Sequence, residues 1–144
     1  MIVPDANLLL YAHDSSSIFH ERARHWWEAC LSGNEPIGLT HAVVFAYLRI
    51  STSIRVYENP LSLAEAHGHI HGWLERSVAR VLLPDGDHVE RTLALLEAAG
   101  SAGGNFVSDA QIAALAMAHR AEVHTADRDF LRFPGLECRF PLTD

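Results

Sequence analysis

The chain of 144 residues carries 11 basic and 18 acidic residues, which gives a formal net charge of −7 with neutral histidine. All of the basic residues are arginine. The sequence therefore excludes enzymes that depend on a lysine, such as P-loop nucleotide hydrolases and Schiff-base enzymes. An acidic chain is also not an obvious nonspecific nucleic-acid binder, because that binding relies on neutralising many phosphates. If the protein handles nucleic acid, a metal ion or a local group of arginines has to offset its carboxylates.

The apolar segments are too short to cross a membrane, since the stretch LTHAVVFAYLRI is interrupted by His41 and Arg49. The N-terminus has neither a basic segment nor a cleavage-site pattern, so we expect no signal peptide, a cytoplasmic location and no membrane partner. Cys30 and Cys138 are far apart and have no CxxC partner, which predicts reduced, buried thiols. With no linker or repeat, residues 1–144 are expected to form a single domain.

Short apolar strands alternate with helices along the sequence. In chain order, we predict a strand at 2–3, helices at 6–13 and 20–31, a strand at 37–39, helices at 41–51 and 63–76, a strand at 81–83, a helix from 87 to 99, a helix opened by Ser108, a strand at 122–124 and an edge strand at 136–140. Asp87 with Glu90, and Ser108 with Gln111, match the spacing of a capping box. This alternation predicts an α/β domain with a mainly parallel central sheet.

Acidic residues stand at the ends of two predicted strands and at the start of one helix. Asp5 follows the first strand, Asp127 and Asp129 follow the strand at 122–124, and Asp109 lies in the first turn of its helix. The carboxyl ends of parallel strands share one edge of the sheet, so these side chains should approach one another there. Each alone is explained by helix capping. Together they would repel one another unless a cation lay between them, and oxygen ligands favour Mg²⁺ or Mn²⁺ over Zn²⁺.

Two stretches of the chain resemble a known family. VPDANLLLYA near the N-terminus and NFVSDAQIAALAMAHRAEVHTADRDFLRFPGL near the C-terminus resemble PIN-domain ribonucleases and, more narrowly, the VapC toxins of bacterial type II toxin–antitoxin modules. The resemblance implies a three-layer α/β/α PIN-like domain around a mainly parallel sheet. It also implies an endoribonuclease toxin that requires Mg²⁺, or Mn²⁺, and cleaves RNA. Such toxins usually form homodimers and are neutralised by a cognate VapB antitoxin.

The resemblance assigns roles to individual positions. Asp5, Asp109 and Asp127 match the catalytic, metal-binding acids of the family, and Asp129 matches a less constant fourth carboxylate. Two further positions match polar groups that support the ligands: Asn7 and Thr125.

The sequence departs from the family at one position. The family usually has a glutamate in the helix after the second strand, but here the expected place, near Ala46 and Tyr47, carries no acid. The number of metal ions, one or two, is therefore left open. Two alternative functions follow: a catalytically weak PIN module that binds RNA or an antitoxin, and a PIN nuclease directed at DNA. The second alternative lacks the inserted basic elements that such enzymes usually carry.

Other polar residues have two interpretations each. Arg49 and Arg55 either hold RNA phosphates or pair with acidic side chains. His67, His69 and His71 alternate as a metal site would require, but residues two apart on a helix point about 200° apart, which predicts a solvated helix face instead. Three further sequence features are interpreted as packing residues or as neighbours of the site: Trp26, Trp27 and His124.

Overall fold

The computed structural model describes residues 1–101 and 103–144, and in these residues it contains five parallel strands and six α-helices. The strands are β1 (Ile2–Pro4), β2 (Ile37–Thr40), β3 (Ala79–Leu82), β4 (Glu122–His124) and β5 (Cys138–Arg139). The helices are α1 (Ala6–His13), α2 (His20–Ser32), α3 (His41–Ser51), α4 (Leu63–Leu74), α5 (His88–Ala98) and α6 (Phe106–Ala118). A 3₁₀ helix, Arg128–Arg132, follows β4.

The strand order β3-β2-β1-β4-β5 places helices on both faces of the sheet. The chain steps from β1 to β2 to β3 in one direction, so right-handed connections put α1 to α4 on one face. It then crosses back from β3 to β4, which puts α5 and α6 on the other face. The packing of α1 on α2 and α3, and of α5 on α6, agrees with this division. The predicted three-layer α/β/α architecture is confirmed.

The central pair β1 and β4 forms the point at which the strand order reverses. Their register pairs Ile2 with Glu122 and Pro4 with His124, so the two strands end at the same level. The connections leaving them diverge to opposite faces and leave a crevice outside their carboxyl ends. Asp5 and Thr125, the next residues along the chain, therefore stand side by side at the mouth of this crevice.

The core lies between the sheet and both helical layers. The side chain of Leu82 on β3 packs over Gly38 on β2, where a Cβ atom would lie 2.5 Å from Cδ1 of Leu82. On the face covered by α1 to α4, the rings of Tyr47 and Trp73 have centroids 4.8 Å apart, and those of Trp27 and Trp73 lie 5.6 Å apart. This aromatic cluster joins α2, α3 and α4 beneath the crevice.

Both predicted capping boxes are wrong. Helix α6 begins at Phe106, two residues before the predicted cap, so Ser108 lies inside the first turn. The preceding Gly103 and Gly104 have positive φ, and they turn the chain into the helix early. At α5 the side chain of Asp87 makes no capping bond; instead its backbone N–H donates to Asp85 over 3.0 Å.

Several predicted boundaries also differ from the structure. Strand β3 begins at Ala79 because its residues 79–82 pair in register with β2, and α4 ends at Leu74 rather than at Arg76. Strand β5 is only two residues long.

Both cysteines are free, with Cys30 buried as predicted and Cys138 half-buried. Among the residues that the structure describes, no helix is long and apolar enough to span a membrane.

Candidate active site

Asp5 is buried at the junction between β1 and α1, with only 7% of its surface exposed. Its Oδ1 atom accepts a hydrogen bond from the backbone N–H of Ala6 over 2.7 Å, and its Oδ2 atom accepts one from the Thr125 hydroxyl over 2.6 Å. The carboxylate therefore caps α1, as one interpretation of the sequence predicted, while also lining the crevice. Burial raises the pKa of Asp5 above its ordinary value, and the nearby charge of Asp127 adds to this effect.

The hydroxyl of Thr125 connects the two central strands. It donates to Asp5 and accepts hydrogen bonds from the backbone N–H of Asp127, over 3.0 Å, and from the side-chain amide of Asn7, over 3.4 Å. Asn7 in turn accepts from the backbone N–H of Ala126 over 3.3 Å. The structure thus brings Asn7 and Thr125, the two predicted supporting residues, into one network with the predicted acids.

The remaining acids approach this network from β4 and α6. Asp127 caps the 3₁₀ helix, since its Oδ1 atom accepts from the backbone N–H of Asp129 over 2.9 Å. Asp109 is half-buried on α6, and its pKa is raised to about 7, first by burial and then by the charges of Asp5, Asp127 and Asp129. The charges of the other three predicted acids all act on Asp109, so the four carboxylates lie near one another at the end of the sheet.

The donor chemistry of this region fits a hard divalent cation. Half-buried carboxylates that hold each other's pKa high lack a compensating positive charge, and oxygen ligands of this kind suit Mg²⁺ or Mn²⁺. In residues 1–101 and 103–144, however, no three His, Cys, Asp or Glu side chains are already arranged to hold one ion. The carboxylates of Asp5 and Asp127 accept hydrogen bonds from backbone N–H groups and from the Thr125 hydroxyl.

The acids form one end of a groove of about 1010 Å³. One wall is α3, from which Ala46 and Arg49 line the groove, and Arg55 continues the wall beyond the helix. Neither arginine is in an ion pair in the part of the chain that the structure describes. Ala46 stands where the family glutamate was expected, and the neighbouring Tyr47 is fully buried, with its hydroxyl 2.7 Å from His69 Nδ1. This wall is thus basic and apolar, without a carboxylate.

Residues on and beside α6 that the sequence analysis did not assign to the site complete the opposite wall: Asn105, Ser108, Gln111 and Ile112. Asn105 and Ile112 lie four and three residues from Asp109, a spacing that places them on the same helical face. That periodicity was a usable signal, but the expectation of a cap at Ser108 obscured it.

Two residues next to the acids in sequence point away from the groove. The guanidinium of Arg128 donates to the Thr143 hydroxyl over 3.0 Å and lies 3.8 Å from the centroid of the Phe140 ring. His124 accepts a hydrogen bond at Nδ1 from Nε1 of Trp26 over 3.0 Å, so its side chain does not line the groove. His124 is therefore close to the site in sequence, but its side chain does not face the groove.

The remaining aromatic and histidine features also lie outside the groove. His67 and His71 are exposed, as predicted, whereas His69 is half-buried against Tyr47. Trp27 packs in the core, and Trp26 is half-buried against it. The prediction of a solvated helix face is therefore wrong for His69, and the prediction of packing roles for the two tryptophans is confirmed.

The charge of Asp109 gives the protein a predicted pH dependence. Because its pKa is raised to about 7 from 3.8, folding disfavours the ionised form, so stability should fall as the pH rises from about 4 to about 7. With allowance for solvent screening of this half-exposed group, we expect a loss of about 1 kcal/mol between pH 5 and pH 8 that Asp109→Asn does not show. Thermal unfolding of both proteins in EDTA across this range measures the difference. Parallel pH profiles of the two proteins would contradict it.

Comparison with known proteins places the chain in a family. The model of the PIN domain matches residues 2–136. Ribonuclease VapC33 of Mycobacterium tuberculosis is 39% identical over 144 residues, covering 100% of both chains, and ribonuclease VapC37 of the same organism is 34% identical over 136 residues, covering 94% of each. The chain therefore belongs to the PIN-domain family, as a member of its VapC group.

Solved structures share the fold at lower sequence identity. The VapBC2 complex of Rickettsia felis, bound to a DNA fragment from its promoter, has a TM-score of 0.66 at 21% identity, covering 96% of this chain and 98% of the other. VapC20 of M. tuberculosis, described as a toxin that cleaves the sarcin–ricin loop, has a TM-score of 0.68 at 18% identity, covering 95% and 99%. These likenesses confirm the PIN-like architecture.

Proposed function

We propose that the protein is a metal-dependent endoribonuclease and the toxin of a VapBC-type pair. The observation that carries this proposal is the convergence of three aspartates, Asp5, Asp109 and Asp127, on one end of a groove whose facing wall bears two unpaired arginines in the described residues. Carboxylates at one end and guanidinium groups along the wall suit a polyanion whose scissile phosphate lies at the acids. The ribonuclease names of the VapC relatives support the same function.

In this function Asp5, Asp109 and Asp127 would hold Mg²⁺, with Asp129 auxiliary. A bound Mg²⁺ would supply charge neutralisation at the phosphodiester and a water of lowered pKa. The protein's own groups would do the rest: the Thr125 hydroxyl and the Asn7 amide fix the carboxylates, and Arg49 and Arg55 donate to phosphate oxygens along the groove. We expect no covalent intermediate between RNA and the protein.

An antitoxin of the VapB type is the proposed partner. The exposed side chains of Phe45 and Val56 line the groove next to Arg49 and Arg55, a surface that suits an extended segment with apolar and acidic residues. Structures of related folds are toxin–antitoxin complexes, which supports this assignment. Homodimerisation and a cytoplasmic location remain predictions of the family resemblance; light scattering of the purified protein measures the first.

A catalytically weak module is the second candidate. Ala46 lines the groove where the family usually has a glutamate, so the site offers fewer carboxylates on the α3 side. Such a module would bind RNA or its antitoxin but would not cleave. If the parent protein cleaves RNA weakly and Ala46→Glu increases its cleavage rate, the missing acid is the cause of the weak activity.

The test is cleavage of a mixed structured RNA pool by the purified protein in Mg²⁺ and in EDTA. We expect discrete products that require the metal and disappear in Asp5→Asn. Asp87→Asn is the matched control, because it makes the same chemical change at an exposed position before α5 and should leave cleavage intact. Products that persist in EDTA or in Asp5→Asn would contradict the mechanism, and RNA binding without products would favour the weak module.

A further inference from the structure

A second, smaller cavity lies beside the groove. It is enclosed by the end of α1, the end of α3 and the segment 52–62 between α3 and α4, and its volume is about 80 Å³. A single water needs only about 10–15 Å³ of such volume, so the cavity has room for something larger than one solvent molecule. The sequence analysis assigned no role to the residues that line it.

One of these residues has an unmet hydrogen-bonding need. Ser51, in the last turn of α3, is 4% exposed, lines the cavity, and its hydroxyl has no partner in the described structure. A buried hydroxyl without a partner is costly, because it has lost its hydrogen bonds to water. A ligand in the cavity would provide the missing partner.

Asp14 and Asn59 line the same cavity, together with the rings of His13, Tyr47 and Tyr57. Asp14 is held in place because its Oδ1 atom accepts from the backbone N–H and the hydroxyl of Ser16, over 3.0 and 2.6 Å. Its Oδ2 atom has no hydrogen-bond donor among the described residues, so it can accept from a ligand. Asn59 contributes an amide, which both donates and accepts. The carboxylate disfavours a phosphate here and favours a neutral group with an N–H edge.

The remaining walls suit a flat ring. Leu10 and Leu61 supply apolar surface, and Tyr57 supplies an aromatic ring. Flat walls with polar groups at the edge are the arrangement that binds an unstacked base. The small volume fits one six-membered ring better than the fused rings of a purine.

The cavity adjoins the groove, with which it shares one lining residue. Leu10 lines both, and the segment faces the groove with Ser53, Arg55 and Val56 before it faces the cavity with Tyr57 and Asn59. A strand whose phosphate is held by Arg55 can therefore turn an adjacent base into the cavity.

We propose that this cavity is a subsite for one pyrimidine base of the RNA that occupies the groove. Asp14 accepts from the N–H edge of the base, a pairing that carboxylates make with the amino group of cytosine, and Ser51 and Asn59 donate to its oxygen or ring nitrogen. The inference rests on the proposed function, because it takes RNA as the ligand of the groove. It adds a sequence preference that the aspartates of the groove alone would not give.

The test is binding of fluorescently labelled five-nucleotide RNAs, all cytidine, all uridine or all adenosine, in Mg²⁺ and in an Asp109→Asn background that prevents cleavage. We expect one of the pyrimidine oligonucleotides to bind about tenfold more tightly than the adenosine one, as one good polar base contact allows. The preference should fall below about twofold when Ser51→Ala or Asp14→Asn is added. Asp87→Asn, with the same loss of charge, should retain it.

Equal binding of all three oligonucleotides, or a preference that both substitutions leave unchanged, would overturn the subsite. Thermal unfolding of each variant shows whether the fold is intact, and in Asp14→Asn the side-chain oxygen of the introduced amide can still accept from Ser16. The two proposals fail differently. Cleavage by the parent protein without any base preference overturns only the subsite, whereas a base preference without cleavage supports the subsite and overturns the nuclease.

Discussion

Asp109→Asn is expected to reduce RNA cleavage by roughly 100-fold or more, because it removes one of the carboxylates proposed to hold the metal. The same substitution should stabilise the metal-free protein at neutral pH. The pKa of Asp109, raised to about 7, shows that the folded state disfavours its charge, so removing that charge relieves first the cost of burying it and then its repulsion with Asp5 and Asp127. Activity and stability should therefore change in opposite directions, which separates a functional carboxylate from a structural one.

The measurement pairs kcat and KM on one RNA with the midpoint of thermal unfolding in EDTA. Asp129→Asn is the matched control, because Asp129 is exposed and does not line the groove. We expect this variant to lose no more than about tenfold in kcat, which is the lower end of the range for groups outside the ligand set. If Asp109→Asn retained full activity, or if it lost both activity and stability, the assignment of Asp109 as a metal ligand would be wrong.

Phe130→Ala is expected to lower the free energy of unfolding by about 3–5 kcal/mol. Phe130 is fully buried in the 3₁₀ helix, and its ring meets Phe133 edge-on with centroids 5.9 Å apart. Truncation removes apolar burial and leaves a cavity beneath the segment that begins with Asp127. A loss of this size is a large fraction of the roughly 5–15 kcal/mol that stabilises a typical domain. We therefore also expect weaker metal-dependent cleavage at temperatures near the midpoint of unfolding.

Urea denaturation of the parent and the variant measures this loss. Leu131→Ala is the neighbouring control, because Leu131 lies in the same 3₁₀ helix but is 61% exposed, and its truncation should change stability by less than about 0.5 kcal/mol. Equal effects of the two substitutions would show that the segment is not anchored through Phe130.

The placement of the acids was predictable from sequence because it depends on chain order. Once β1 and β4 are parallel neighbours, Asp5 and Thr125 must meet at their ends, whatever the details of packing. The sequence also posed capping and metal binding as alternatives for Asp5, but the structure shows that its carboxylate caps α1 and lines the groove at once. Its role as a metal ligand stays a prediction.

Features that depend on backbone conformation or on tertiary contacts were not predicted. The start of α6 depends on two glycines of positive φ, and local spacing favoured a cap at Ser108 instead. His69 belongs to a repeated histidine pattern, yet only its packing against Tyr47, which is 22 residues away in sequence, distinguishes it from the two exposed histidines. Likewise, the orphaned hydroxyl of Ser51 becomes visible only when α1 and the α3–α4 segment close around it.

The Thr125–Asp5 hydrogen bond joins residues separated by 120 positions in sequence. Closing so long a loop is entropically unfavourable until the intervening elements have packed, so this contact should form late in folding. A chain still emerging from the ribosome has Asp5 and the arginines of the groove wall but not β4 with Thr125 and Asp127. For a protein proposed to destroy RNA, this order of assembly is protective: we expect nascent and truncated chains to be inert, and cleavage to begin only after synthesis has passed the last strands of the sheet.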